Sequence, residues 1–166
     1  MIQFSTRTAL LGLALLLGSA GPGQAQSPES TVIAAVQQLF DAMAARDTAA
    51  ARAVLMPEGL FFAVRTGAGE GAVSAMPYTD FLARLAVAAE RWLERMWEPQ
   101  VLIHGPLAVV WTRYDFYRGD SFSHCGVDAF NMIRTAEGWK IASAAYTVES
   151  DGCPPSPLGP PAPGRR

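Results

Sequence analysis

Apolar positions in this chain recur first at a helical spacing and, past residue 94, at a spacing of two. Val32, Val36, Leu39, Phe40 and Met43 fall on one stripe of a 3.6-residue period. Ser27, Pro28 and Glu29 ahead of them supply an N-cap, a first-turn proline and a first-turn acid. Asp47 caps a second, short, alanine-rich helix that has to stop before Pro57, because the residue before a proline is pushed out of the helical region. "GLFFAVR" (59–65) reads as a strand and "TGAGEG" (66–71) as a flexible loop. Phe81, Leu85, Ala88 and Trp92, with Leu82 and Ala89 beside them, predict a third amphipathic helix. The turn signals Gly105-Pro106, Gly119-Asp120 and Glu137-Gly138 then divide the rest into four antiparallel strands, roughly 94–103, 107–117, 122–134 and 139–149.

If every turn is a two-residue loop, alternation assigns each side chain to a face. One face collects Glu98 and Gln100, Trp111, Arg113 and Asp115, then His124, Gly126, Asp128 and Phe130. Glu98 is then set opposite Arg113, Asp115 opposite His124 and Trp111 opposite Asp128, at about 4.5–5.5 Å between Cβ atoms. The other face collects Trp97, Val101, Ile103, Val110, Tyr114, Phe116, Cys125, Val127, Tyr146 and Val148, with hardly a charge among them. An apolar face of that extent left in water is a liability, so a homodimer joined sheet to sheet through it is expected. If instead the helices cover that face, the mixed face meets solvent.

Composition narrows the class. Half of the 166 residues are hydrophobic, enough for one domain with a full core. The net charge of −2 comes with no basic stripe or acidic block, so nucleic acid is not an expected partner. Arg7, the run "ALLGLALLLG" (9–18) and the small residues Gly23 and Ala25 fit a secretory signal spanning 1–25 and cut after Ala25. The run is too short for a spanning helix, so a soluble periplasmic or secreted protein, with no membrane contact after cleavage, is expected. "PPSPLGPPAPGRR" (154–166) lacks periodicity and reads as a disordered tail, which leaves 29–153 as the folded domain.

In an oxidising compartment two cysteines invite a bridge. Cys153 lies three residues beyond Ser150, the expected partner of Cys125, and Gly152 lets the chain fold back, so a Cys125–Cys153 disulfide is expected. His124 and Cys125, adjacent on one strand, point to opposite faces and do not form a catalytic dyad.

The element order, with "HCGVDAFNMIRTAEGWKIASAAYT" (124–147) closing the sheet, resembles the nuclear transport factor 2-like superfamily. The strand Gly138-Trp139-Lys140-Ile141 is similar to the last strand of its SnoaL-like and putative lumazine-binding branches. Over roughly 29–150 the resemblance implies an α+β, cystatin-like fold: a cone-shaped, curved, mixed or antiparallel sheet wrapped round about three N-terminal helices. Enzymes of the superfamily use carboxylate, His or Tyr groups inside the cone for proton transfer without metal, and many other members bind ligands, so the fold does not settle the function.

Two readings follow. In the first the chain is an exported domain binding a small apolar or aromatic molecule, touched by Trp111, Arg113, His124 and Asp128, with Glu98 and Tyr78 as further candidates. In the second it is a cofactor-free isomerase or dehydratase in which Asp115 orients His124 as general acid or base and Arg113 stabilises the developing anion. Against the second, Glu98, Arg113, Asp115 and His124 also read as a satisfied polar ladder that fixes register. Only two histidines are present, one at the tip of the Gly105-Pro106 turn, so no metal site and no cofactor are expected.

Overall fold

Ser27 opens the first helix as its position requires: its hydroxyl accepts a 3.2 Å hydrogen bond from the Ser30 N–H. The computed structural model describes residues 27–66 and 72–163; the run read as a signal peptide lies outside them. Helix α1, Pro28–Ala45, buries Val32, Val36, Leu39, Phe40 and Met43, the stripe read from the sequence. Helix α2, Thr48–Val54, is capped by Asp47, whose carboxylate accepts from Ala49 N–H and Ala50 N–H at 3.0 and 2.9 Å. Strand β1, Leu55–Arg65, follows directly, then β2, Ala72–Pro77, and helix α3, Tyr78–Ala86. The meander is β3, Trp92–His104; β4, Leu107–Arg118; β5, Ser121–Thr135; and β6, Gly138–Val148.

Two elements differ from the sequence expectation. Strand β2 was not foreseen; it pairs antiparallel with β1 from Leu60↔Pro77 to Arg65↔Ala72. Helix α3 ends at Ala86 instead of running to Trp92, because Tyr78, Phe81, Leu82 and Leu85 already complete its buried face. Trp92 opens β3 and reaches the Phe81 ring from there, with centroids 6.2 Å apart. The six strands form one mixed sheet in the order β2-β1-β6-β5-β4-β3, with only β1 and β6 parallel. The helices pack on one face, and the core is the layer between, including Ala108, Val110, Tyr114, Phe130, Met132 and Ile141.

Register departs from the expectation in all three hairpins: by one residue beyond a bulge in the first two, and in the third by two residues beside the turn and one beyond the irregularity. In β3, Trp97 pairs with Arg113 but Gln100 with Trp111, so Glu98 and Pro99 together oppose Thr112. Pro99 has no N–H for the ladder, and Glu98 takes a left-handed φ of 53°. In β5, Tyr117 pairs with Phe122 but Phe116 with His124, leaving Ser123 as the extra residue. In the third hairpin the turn is Ala136–Glu137, one residue earlier than read, and a further irregularity lies between Asn131 and Met132.

Each bulge inverts the faces beyond it, so three expected pairings are overturned. Arg113 faces Trp97, not Glu98; His124 lies beside Phe116, not Asp115; Asp128 lies beside Thr112, not Trp111. The face expected to join two subunits is broken up as well. Its residues Val110, Tyr114 and Phe116 lie in the core under the helices, with Val101, Ile103 and Tyr146 packed against it.

Cys125 and Cys153 are joined by a disulfide, and Cys125 forms a bridge with Glu149, one residue short of the expected Ser150. Beyond it, residues 154–163 carry no helix or strand yet are held across the outer face of the sheet. Arg95 donates to Gly159 O at 2.9 Å, and Arg91 to Ala162 O at 3.3 Å. Beneath this segment Arg95 grips Asp115 in a two-point ion pair, Nε to Oδ1 at 2.9 Å and Nη2 to Oδ2 at 2.5 Å. Asp115, a proposed orienter of His124, is therefore committed elsewhere and only 2% exposed. Among the described residues no helix is long and apolar enough to cross a membrane.

Candidate ligand-binding cavity

Between the helices and the concave side of the sheet lies a cavity of about 480 Å³. One part of its wall is aromatic, with Phe40, Phe61, Phe81, Trp92, Phe116 and Phe130 in the lining. Phe61 is fixed by edge-to-face contact with Phe81 at 4.9 Å and a tilted contact with Tyr78 at 4.5 Å. Into this volume project Glu94 from β3, Tyr114 from β4, His124 and Asp128 from β5, and Tyr146 from β6.

Tyr114 occupies this position because its cross-strand partner is Gly126. A Cβ at residue 126 would stand 2.2 Å from Thr147 O and 2.8 Å from the Tyr114 ring. Without that Cβ, the Tyr114 hydroxyl donates to Thr147 O at 2.6 Å. Burial, then the charges of Glu94 and Asp128, raises the Tyr114 pKa, so the phenol stays a donor already spent on the backbone.

The two carboxyl groups are the unusual pair. Asp128 is 2% exposed; its carboxyl meets that of Glu94, and its Oδ2 has no other hydrogen-bond partner among the described residues. Burial raises its pKa well above the ordinary range, and the charge of Glu94 adds to that. Burial likewise pushes Glu94 up to about 8. Two carboxyls in contact in an apolar wall do not ionise together, so near neutral pH the pair holds at least one proton.

His124 stacks on Phe116, with centroids 4.9 Å apart and planes at 30°, and its Nδ1 lies 3.0 Å from Ser123 Oγ. Burial first, and then the charges of Arg118 and Arg65, lower its pKa to about 4. The imidazole is neutral at physiological pH, so it presents one donor and one acceptor and no charge.

The cavity thus contains His124 and Asp128 from the sequence-derived candidates. Trp111, 52% exposed, and Arg113 lie on the opposite face of the sheet, and Glu98 is exposed at the β3 bulge. None of the three lines the cavity. Tyr78 is buried outside it, walling a smaller pocket with Leu55, Met56, Pro57 and Leu82. Sequence reasoning missed Glu94, Tyr114 and Tyr146. A signal for the first existed: Pro99 inside a strand marks a bulge, and resetting the alternation there puts Trp92, Glu94 and Met96 on the inner side. Among the described residues no group of three or more His, Cys, Asp or Glu side chains could hold a metal.

A family model described as putative lumazine-binding matches residues 27–147. No curated protein matches the chain. Among solved structures, a nuclear transport factor 2-like protein from Cytophaga hutchinsonii superposes with a TM-score of 0.63 at 11% identity, over 74% of this chain and 99% of its own. A putative dehydratase of that family from Streptomyces avermitilis gives 0.57 at 19% identity, over 74% and 98%. A protein with a cystatin-like fold from Novosphingobium aromaticivorans gives 0.57 at 13%, over 75% and 83%. At these identities the structures speak for the fold alone, as the expected cone of sheet and helices. With the match spanning α1 to the last strand of the meander, the chain belongs to the putative lumazine-binding family, with the fold of the nuclear transport factor 2-like structures.

Proposed function

We propose that this chain is an exported small-molecule-binding domain that holds an apolar or aromatic ligand in its cone and recognises it through the Glu94–Asp128 pair. One observation carries the reading: in the wall of a cavity of about 480 Å³, Asp128 Oδ2 is buried with no partner among the described residues besides the neighbouring Glu94 carboxyl. A buried polar atom left unpaired costs about 1–3 kcal/mol, a cost that a ligand hydrogen bond would recover. The aromatic walls supply stacking surface, and the neutral His124 adds a second polar contact. The family description supports small-molecule binding without naming the ligand here. The disulfide supports an extracytoplasmic address, to which the leading apolar run would direct the chain. Self-association belongs to the same proposal but through the outer face, where Leu102, Leu107, Trp111 and Ile133 are exposed.

A second reading, a cofactor-free isomerase or dehydratase, is favoured by the same carboxyl pair. A carboxyl kept protonated beside one that ionises more readily is a proton donor and acceptor in one site. Proton transfer would then run through Glu94 and Asp128, not through Asp115.

Native mass spectrometry of the protein purified from its own host tests both the retained ligand and the dimer. The wild type is expected to carry a small molecule, and Asp128→Leu to lose it, with affinity for that molecule lowered about 10–100-fold. Asp128→Asn, which keeps a donor and an acceptor, is expected to bind with an intermediate loss. Equal affinity in all three proteins would remove the carboxyl pair from recognition. Turnover of the retained molecule, abolished by Glu94→Gln while binding persists, would replace the binder by the enzyme.

A further inference from the structure

Three arginines, Arg65 at the end of β1, Arg84 on α3 and Arg118 at the end of β4, line the same cavity on its solvent side. They come from three separate elements, and all three are exposed. The ion pairs among the described residues are Arg91 with Asp120 and Arg95 with Asp115, so none of the three is neutralised by one. Arg65 donates a single long hydrogen bond, 3.4 Å, to the Ser74 hydroxyl.

Their charges reach into the cavity. Arg65 and Arg118 both act on His124, and Arg65 and Arg84 both act on Tyr146. The carboxyls deeper in the wall do not cancel them, since burial holds at least one proton on the Glu94–Asp128 pair. The chain as a whole carries a net charge of −2, yet this one concavity presents three guanidinium groups over an apolar interior. A low-dielectric cleft focuses such a field on whatever enters.

We infer that the ligand is an amphipathic anion: an apolar or aromatic body lying against the aromatic walls, a hydroxyl or carbonyl end at Glu94 and Asp128, and a single carboxylate-class anion at Arg65, Arg84 and Arg118. The inference rests on the binding reading above and adds the ligand's charge and its direction of entry. Guanidinium groups suit a planar carboxylate because their paired N–H donors match its two oxygens.

The probes are a hydroxylated biphenyl carboxylate and its neutral carboxamide, with the matching phosphate ester as a third arm, each titrated into the full folded protein by calorimetry. The carboxylate is expected to bind about tenfold more tightly than the carboxamide at low salt, and the gap to close as salt is raised. In Arg65→Gln/Arg84→Gln/Arg118→Gln the two should bind within about threefold of each other, the carboxamide being little changed. In Asp128→Leu both should weaken together, with their ratio kept. A phosphate ester favoured over the carboxylate would change the anion class and overturn the carboxylate assignment. Equal binding of carboxylate and carboxamide by the wild type would overturn the anion inference and leave the cavity reading standing. Binding of none of the probes, by wild type or variants, would overturn both.

Discussion

Replacing Arg95 by alanine should lower the stability of this fold by about 3–5 kcal/mol, read as a shift of the urea midpoint at unchanged slope. Asp115 is 2% exposed, and among the described residues its side chain is held by the Arg95 fork, bonded to both carboxylate oxygens. Truncating the arginine strands a buried charge, which costs far more than the net worth of the pair. The same side chain also donates to Gly159 O and lies 5.2 Å from the Tyr117 ring centre, so the loss spreads to the C-terminal segment. Arg95→Lys keeps the charge but not the fork and should fall between. Arg91 pairs with the exposed Asp120 at 3.7 Å, and Arg91→Ala is the surface control, expected to cost about 0–1 kcal/mol. An Arg95→Ala loss as small as that control would show that Asp115 has no need of its partner.

Cys153→Ser should cost about 3–4 kcal/mol relative to the oxidised protein, because the bridge closes a loop with a sequence separation of 28. Intact mass before and after reduction and alkylation establishes the bridge, and denaturation of the variant gives the magnitude. The bridge is also what starts the C-terminal segment across the sheet toward Arg95. Cys153→Ser and Arg95→Ala should therefore couple, the double variant losing less than the sum of the singles. Two free thiols in the wild-type protein, or strict additivity, would contradict this picture.

What was legible from the sequence was whatever depends on short-range rules. Helix α1 followed from its stripe and its Ser27 cap, α2 from Asp47 and Pro57, and the meander from its turn signals. The Cys125–Cys153 bridge was found despite a one-residue error in the partner strand, because a disulfide needs nearness and not a particular face. The site was read much less well. Alternation carries an error of one residue to every side chain beyond it, and each hairpin holds one such irregularity. Trp111, Arg113 and Asp115 were therefore assigned to the same side as His124 and Asp128 when they lie on the other. Pro99 announced the first bulge. Nothing in "DSFSHC" marks Ser123 as the extra residue of the second, since no glycine or proline stands there. Strand β2 was hidden because "AVSAMP" is mostly small, exposed residues without an alternating apolar face.

The central claim is that two carboxyls share the interior of the cone and keep a proton there at neutral pH. Carbon-13 NMR of the Asp and Glu side-chain carboxyls, followed through a pH titration with Asp128→Asn and Glu94→Gln for assignment, reads this directly. The account predicts an Asp128 carbon that titrates well above the ordinary carboxylate range, with Glu94 titrating near pH 8 and each resonance moving when the other residue is replaced. Both carbons titrating independently at about pH 4, the ordinary carboxylate range, would contradict it.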